Sequence, residues 1–302
     1  MSQSHKPALI GAGPLAGLFA FVAWGISGAY FHAVGFASAL EILSHRIVWS
    51  VILTLVLIFA LGRKAALMQL LGSARTIGVL CITSLLIAGN WLIYIWSVNH
   101  GHAIEASLGY YIMPLIMLVM GRIFLKETLN RIQILSVVIV SLGVVNLLVF
   151  FGTLPWIALG LAFLFGFYGL LRKMVPADPI AGLFVECLAL LPIALIYLGW
   201  LQSKGDMVFL HTSTGNDAML IGLGAMTTIP LVMFAFAARN MKFGALGLMQ
   251  YVNPTIQLCV AVLLFGEPFT QAHLITYIFV WCGLAIFTWD NLRTSRAARA
   301  NS

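Results

Sequence analysis

Residues Arg131–Phe151 read RIQILSVVIVSLGVVNLLVFF, a run whose only charge is the arginine that opens it. Crossing about 30 Å of hydrocarbon takes about 20 predominantly apolar residues in a helix. This run has that length. Moving outward in both directions, apolar runs bounded by charges and turn residues recur, and they give ten predicted spans: 14–34, 41–61, 76–98, 105–125, 131–151, 154–172, 179–201, 217–238, 244–265 and 270–290. Helices are the expected form, because a helix satisfies its own backbone hydrogen bonds within lipid. Of the 302 residues, 62% are hydrophobic and 8% charged, against about 25% charged in a soluble domain. A soluble fold could not hide so much apolar surface. The residues between spans make short loops, with no further soluble domain.

The charges orient the spans. With the N-terminus inside, the cytoplasmic side receives Lys6, Arg63, Lys64, Arg75, Arg122, Lys126, Arg131, Arg172, Lys173, Arg239, Lys242, Arg293, Arg296 and Arg299, 14 of the 16 basic residues. The outer side receives Lys204, and Arg46 falls inside a span. Cytoplasmic loops of membrane proteins carry an excess of Lys and Arg, so this distribution predicts cytoplasmic termini and an even number of spans. The net charge of +7 is thereby a topology signal. No basic stripe interleaved with aromatics marks a nucleic-acid reader. The cysteines Cys81, Cys187, Cys259 and Cys282 show no metal or disulfide spacing and read as buried, small hydrophobes. The first apolar run reads as an uncleaved span.

The halves of the chain resemble one another. Shifted by 140 residues, Tyr111–Pro114 falls on Tyr251–Pro254; Pro114 and Pro254 are each followed thirteen positions later by a glutamate, Glu127 and Glu267. A shift of 141 places Gly25 and Gly28 on Gly166 and Gly169. Five spans per half is an odd number, so the second copy must run through the membrane inverted. The expected fold is an all-α integral membrane protein of ten transmembrane helices, built as repeats 1–151 and 152–302. Inverted repeats supply two conformations, open to either side, around one central site.

Several stretches carry a family resemblance. They are Gly89-Asn90-Trp91, Trp96–Asn99, Glu105–Tyr111 with Pro114, Glu41–Arg46 with Trp49-Ser50, Gly160–Phe163, Phe167–Leu170, Gln250-Tyr251, Pro254-Thr255 and Phe265–Glu267. Together, over about residues 15–290, the chain resembles the RarD proteins of the EamA branch of the drug/metabolite transporter superfamily. That resemblance implies two inverted five-helix repeats working by alternating access, commonly as exporters of small metabolites, in a bacterial inner membrane.

Ionisable groups within a bilayer are costly and so mark candidate sites. Arg46, about five residues into the second span, needs a carboxylate or an anionic substrate. Two readings stand: a fixed ion pair with Glu186, which lies 140 residues later, or a substrate contact. Glu186 is also a candidate carrier of a coupling proton. His45 shares a helix face with Glu41, which is expected at the outer interface. Asn90, Trp91, Tyr110, Tyr111, Gln250, Tyr251 and Asn253 form a polar and aromatic set suited to a small amphipathic solute. Interhelix hydrogen bonds and interfacial anchoring are the alternative. Pro114 and Pro254 each remove a helix hydrogen bond and serve either as gating points or as fixed kinks. Glu127 and Glu267 are expected to cap or hydrogen-bond the next helix.

The leading function is a secondary transporter, an exporter of a small organic solute: no Gly-x-x-x-x-Gly-Lys loop is present, so proton or solute exchange is expected. No cofactor or metal is implied; the partners are the solute, the bilayer and protons, with a homodimer left open. The rival reading is an integral-membrane enzyme acting on a lipid or lipid-linked substrate. His100 and His102 with Glu105 are its nearest approach to a cluster.

Overall fold

The computed structural model describes residues 11–99, 103–152, 156–264 and 271–300, and every regular element among them is an α-helix. In chain order these are α1 (Ala12–Ala33), α2 (Ala39–Ala60), α3 (Lys64–Leu71), α4 (Ala74–Asn99), α5 (Ala103–Phe124), α6 (Arg131–Phe151), α7 (Trp156–Met174), α8 (Pro179–Lys204), α9 (Thr214–Asn240), α10 (Phe243–Met249), α11 (Val252–Leu264) and α12 (Gln271–Ala300). Among the described residues, eight helices (α1, α2, α4, α6, α7, α8, α9 and α12) are long and apolar enough to cross a membrane. In α5 the apolar stretch is shorter, Gly109–Phe124.

Local chemistry sets the helix ends. The Ser38 hydroxyl accepts from Glu41 N to start α2. Asn130 and Gln133 form a reciprocal capping box at α6. Asp178 caps α8 just ahead of Pro179, where a missing N–H costs nothing. Left-handed Gly152 and Gly205 end α6 and α8.

The ninth predicted span differs from expectation, because the chain breaks at Gln250–Tyr251 between α10 and α11. Pro254 has no N–H to return to the carbonyl of Gln250, and the Asn253 amide reaches that carbonyl instead, at 2.9 Å, in a tight turn. Pro254 thus stands in the first turn of α11, whereas Pro114 lies inside an uninterrupted α5.

Helix α6 packs on α12, α5 on α7 and α10, α2 on α8 and α9, α1 on α9 and α11, and α4 on α7 and α8. Glycines let several of these pairs approach closely. A Cβ on Gly143 would stand 3.0 Å from the Thr276 carbonyl oxygen, and one on Gly283 would stand 2.8 Å from that of Ser136. A Cβ on Gly25 would lie 2.6 Å from Ile256 Cβ, and one on Gly166 would lie 3.2 Å from Ile116 Cγ2.

Three expectations are corrected. Cys187 is buried, but Cys81, Cys259 and Cys282 are exposed on the bundle surface, where lipid accepts an apolar group as readily as a core does. Glu127 does not cap the next helix. Its carboxylate accepts from Phe243 N at 2.6 Å and Gly244 N at 2.9 Å, holding the start of α10 across the halves. Glu41 is buried rather than interfacial, because its Oε1 accepts from Val208 N at 2.8 Å and Phe209 N at 3.2 Å in the loop before α9. Glu267 lies outside the described residues.

Candidate functional site

Arg46 lies in the first half of α2, and three neighbouring helices fix its side chain. Its Nε donates to Thr227 Oγ1 of α9 at 2.9 Å. Its guanidinium carbon lies 4.3 Å from the Trp91 ring centroid, from α4, and 5.2 Å from that of Phe31, from α1. Cation–π contacts of this kind hold an arginine more firmly as the site loses water. Tyr94 and Tyr110 meet edge to face, with centroids 6.1 Å apart, and both lie within electrostatic reach of Arg46, as does Cys187. No carboxylate among the described residues comes within ion-pairing distance of Arg46. The site is therefore a guanidinium in an aromatic frame, its carbon over the Trp91 and Phe31 rings, its Nε engaged, and its two terminal nitrogens without a hydrogen-bond partner among the described residues.

Glu186 does not pair with Arg46, and the reason is distance along the helices. Glu41 bonds the loop that follows α8, and Arg63 just after α2 pairs with Asp178 just before α8, at 3.6 Å. Helices α2 and α8 are therefore antiparallel, and Arg46 and Glu186, each early in its helix, lie toward opposite ends. On α4, Trp91 touches Arg46 while Thr83 touches Glu186; those eight positions span roughly 12 Å of helix.

The partner of Glu186 is Arg172, which the charge count placed in a loop. Arg172 Nε lies 3.7 Å from Glu186 Oε1, and both side chains are 1% exposed. Thr83 Oγ1 donates to Glu186 Oε1 at 2.6 Å, the Tyr168 hydroxyl reaches Oε2 at 3.5 Å, and Arg172 Nη2 donates to the Pro179 carbonyl at 3.1 Å. Gly182 makes room on α8, since any side chain there would collide with the Arg172 guanidinium. Between the two charged clusters, Trp24 of α1, Phe165 of α7 and Phe234 of α9 meet with centroids 5.1 to 5.7 Å apart.

Of the sequence-predicted set, Arg46, Trp91 and Tyr110 come together. The others bind helices to one another. Asn90 donates to the Leu161 carbonyl at 2.9 Å. Tyr251 donates to the Tyr111 carbonyl at 2.8 Å, the Tyr111 hydroxyl meets that of Tyr277, and Tyr277 donates to the Pro254 carbonyl at 2.8 Å. Gln250 lies against Met113, and Gln250 Oε1 and Asn253 Oδ1 are buried without a protein partner. His45 Nδ1 accepts from Trp49 Nε1 at 3.2 Å, and its ring lies tilted against that of Phe209 with centroids 4.8 Å apart. A separate cavity of about 740 Å³, lined by Leu15, Phe19, Met233 and Phe236 and rimmed by Arg63 and Arg239, contains none of the predicted residues.

Phe31, Tyr94, Thr227 and Arg172 were not singled out from sequence. Phe31, Tyr94 and Thr227 are ordinary members of apolar spans. Arg172 carried one legible signal: Gly182 and Glu186 are four apart and share a face of α8.

A bundle of long apolar helices around an arginine that no described carboxylate pairs defines a polytopic membrane protein with an internal polar site. The profile of the EamA-like transporter family matches residues 11–149. A Vibrio cholerae protein named "Uncharacterized transporter" is 44% identical over 95% of both chains. "Protein RarD" of Escherichia coli strain K12 is 40% identical over 94% of this chain and 96% of its own. "Chloramphenicol-sensitive protein RarD" of Pseudomonas aeruginosa is 29% identical over 95% and 96%. A solved structure titled "Crystal structure of protein" shares the fold with a TM-score of 0.70 at 15% identity, covering 92% of this chain and 97% of that one. The chain belongs to the RarD family of EamA-like transporters and is a multi-pass membrane transporter.

Proposed function

We propose that this chain is a secondary transporter that moves a small organic solute across the bacterial inner membrane by alternating access, in the direction of export. The observation that carries this reading is Arg46, held in an aromatic frame with no counter-charge among the described residues. A charged group so placed within a membrane is expensive unless it has a purpose, and a passing solute supplies one.

The reading takes the architecture as ten spans in two inverted repeats, 1–151 and 152–302, with α10 and α11 together forming the ninth span and both termini cytoplasmic. Three contact patterns support it. Gly143 meets Thr276 while Gly283 meets Ser136, and each of the two pairs of equivalents is 140 residues apart. Gly25 meets Ile256 while Gly166 meets Ile116, at offsets of 141 and 140. The helix pairs α1·α9, α2·α9 and α1·α11 have α7·α4, α8·α4 and α7·α5 as counterparts five spans away.

In this arrangement the Arg46 site faces the outer end, while Arg172–Glu186 and the aromatic cluster around Trp24 close the inner end. Protonation of Glu186 would loosen its hold on Arg172 and favour inward opening, which ties the cycle to a proton. The turn at Gln250–Tyr251 ahead of Pro254, and Pro114 in its counterpart, are the points at which these helices bend. Substrate contact falls to Arg46, Trp91 and Tyr110 with Phe31, Tyr94 and Thr227. The residues of the enzyme reading, His100 and His102, lie outside the described residues, and nothing observed favours that reading.

The test is flux into proteoliposomes under an imposed pH gradient, across amino acids, related metabolites and phenicols. Saturable flux in the wild type, lost in Arg46→Ala at unchanged membrane insertion, is expected. Wild-type flux in that variant would remove Arg46 from the site.

A further inference from the structure

The charge and shape of the Arg46 site narrow the solute class. Its Nε is committed to Thr227, and its central carbon lies over the rings of Trp91 and Phe31. Among the described residues, no partner meets the edge bearing the two terminal nitrogens. That edge presents parallel N–H donors in the geometry that a carboxylate accepts in bidentate fashion. The walls beside it are the rings of Trp91, Phe31, Tyr94 and Tyr110, which suit a flat apolar body.

An amino acid would also need an acceptor for its ammonium group. The chain has nine acidic residues, and seven of them have described side chains. Glu41 is bonded to the backbone of Val208 and Phe209, Glu127 to that of Phe243 and Gly244, and Asp217 to Leu210 N. Asp178 caps α8 and pairs with Arg63, Glu186 is taken by Arg172, Thr83 and Tyr168, and Asp290 accepts from Asn130. Asp206 is exposed in the loop after α8. None of the seven faces Arg46.

We propose that the Arg46 site takes an organic monoanion: a flat, apolar body carrying one carboxylate and no ammonium group. This rests on the reading of Arg46 as the solute site, and it deepens that reading by excluding zwitterions as the preferred class. The carboxylate supplies a counter-charge that no described acidic side chain provides, and the aromatic frame covers the rest of the molecule.

The experiment uses the full chain in lipid nanodiscs and three probes of one skeleton: 3-phenylpropanoate, its neutral amide 3-phenylpropanamide, and phenylalanine, which adds an ammonium. Binding is read by calorimetry and by quenching of tryptophan fluorescence. The acid should bind at least about tenfold more tightly than either of the other two, since each leaves a charged hydrogen-bonding group unmet. In Arg46→Gln the acid and the amide should become equal, and the wild-type comparison stands even if that variant folds poorly. Phenylalanine binding as tightly as the acid, acid and amide binding alike in the wild type, or none of the three binding would each overturn the proposal. Flux measured on the same preparation separates the two levels. Arg46-dependent flux of some other solute would leave the transport reading intact while the monoanion proposal fails. Selective acid binding with no flux of any solute would do the reverse.

Discussion

At the scale of the residue, half-buried Arg46 and buried Glu186 show what a charge within a span can and cannot reveal in sequence. Arg46 was legible because an arginine inside an apolar run has few bland explanations. Its partnership was not legible. Equivalent positions in antiparallel helices lie toward opposite ends, so the 140-residue offset that made Glu186 look like a partner is what separates it from Arg46. Arg172 was hidden because a count of loop charges cannot tell an interfacial arginine from one turned inward beneath Gly182. Two predictions belong here. Arg46→Lys should keep the charge but lose the planar fork and its stacking on Trp91, raising the half-saturation concentration roughly tenfold in the flux assay. Glu186→Gln should lower thermal stability in detergent, since breaking a buried pair costs about 3–5 kcal/mol. The double variant Arg172→Met/Glu186→Leu should recover most of that loss, as buried pairs replaced by apolar groups of similar volume often do. Equal melting temperatures for Glu186→Gln and wild type would show that the pair carries no stability.

At the scale of the element, hydrophobic run length placed most long helices within a few residues, 131–151 against Arg131–Phe151 and 41–61 against Ala39–Ala60, but ended the last at 290 where α12 is Gln271–Ala300. It missed α3, a short helix in what read as a loop, and the interruption between α10 and α11. Both misses have a physical cause. Run length reports apolar area and says little about where a backbone turns, and Pro254 alone did not distinguish a kink from a fresh helix start. Helix packing makes its own predictions. Gly143→Leu should force α6 away from α12, where a side chain meets the Thr276 carbonyl, and overpacking of this kind costs about 1–3 kcal/mol. Glu127→Ala should cost about as much by removing two charge-assisted bonds to the start of α10. Thermal melts in detergent check both, and an unchanged melting temperature for Gly143→Leu would mean that α6 and α12 do not pack as described.

At the scale of the whole molecule, composition and charge placement made the class of protein legible before any contact was known: a polytopic membrane protein with helices separated by short loops. The internal similarity at offsets of 140 and 141 was faint in sequence because apolar residues match one another by chance. In the contacts, Gly143 meets Thr276 and Gly283 meets Ser136 across α6 and α12, the exchange that the proposed repeat would produce. The two ends differ, with Arg46 toward one, lacking a carboxylate partner among the described residues, and Arg172 paired with Glu186 toward the other; under the proposed alternating access, this asymmetry is what one of two states would have. The most direct test of a site reached from both sides is the labelling of a single cysteine beside it. Tyr94→Cys, in a chain whose four native cysteines are replaced, would be exposed to a membrane-impermeant maleimide in right-side-out and inside-out vesicles. Labelling should be fast from the outer face, and it should become fast from the inner face as well once Glu186→Gln loosens the inner closure. Labelling confined to one face in both backgrounds would contradict a site served by alternating access.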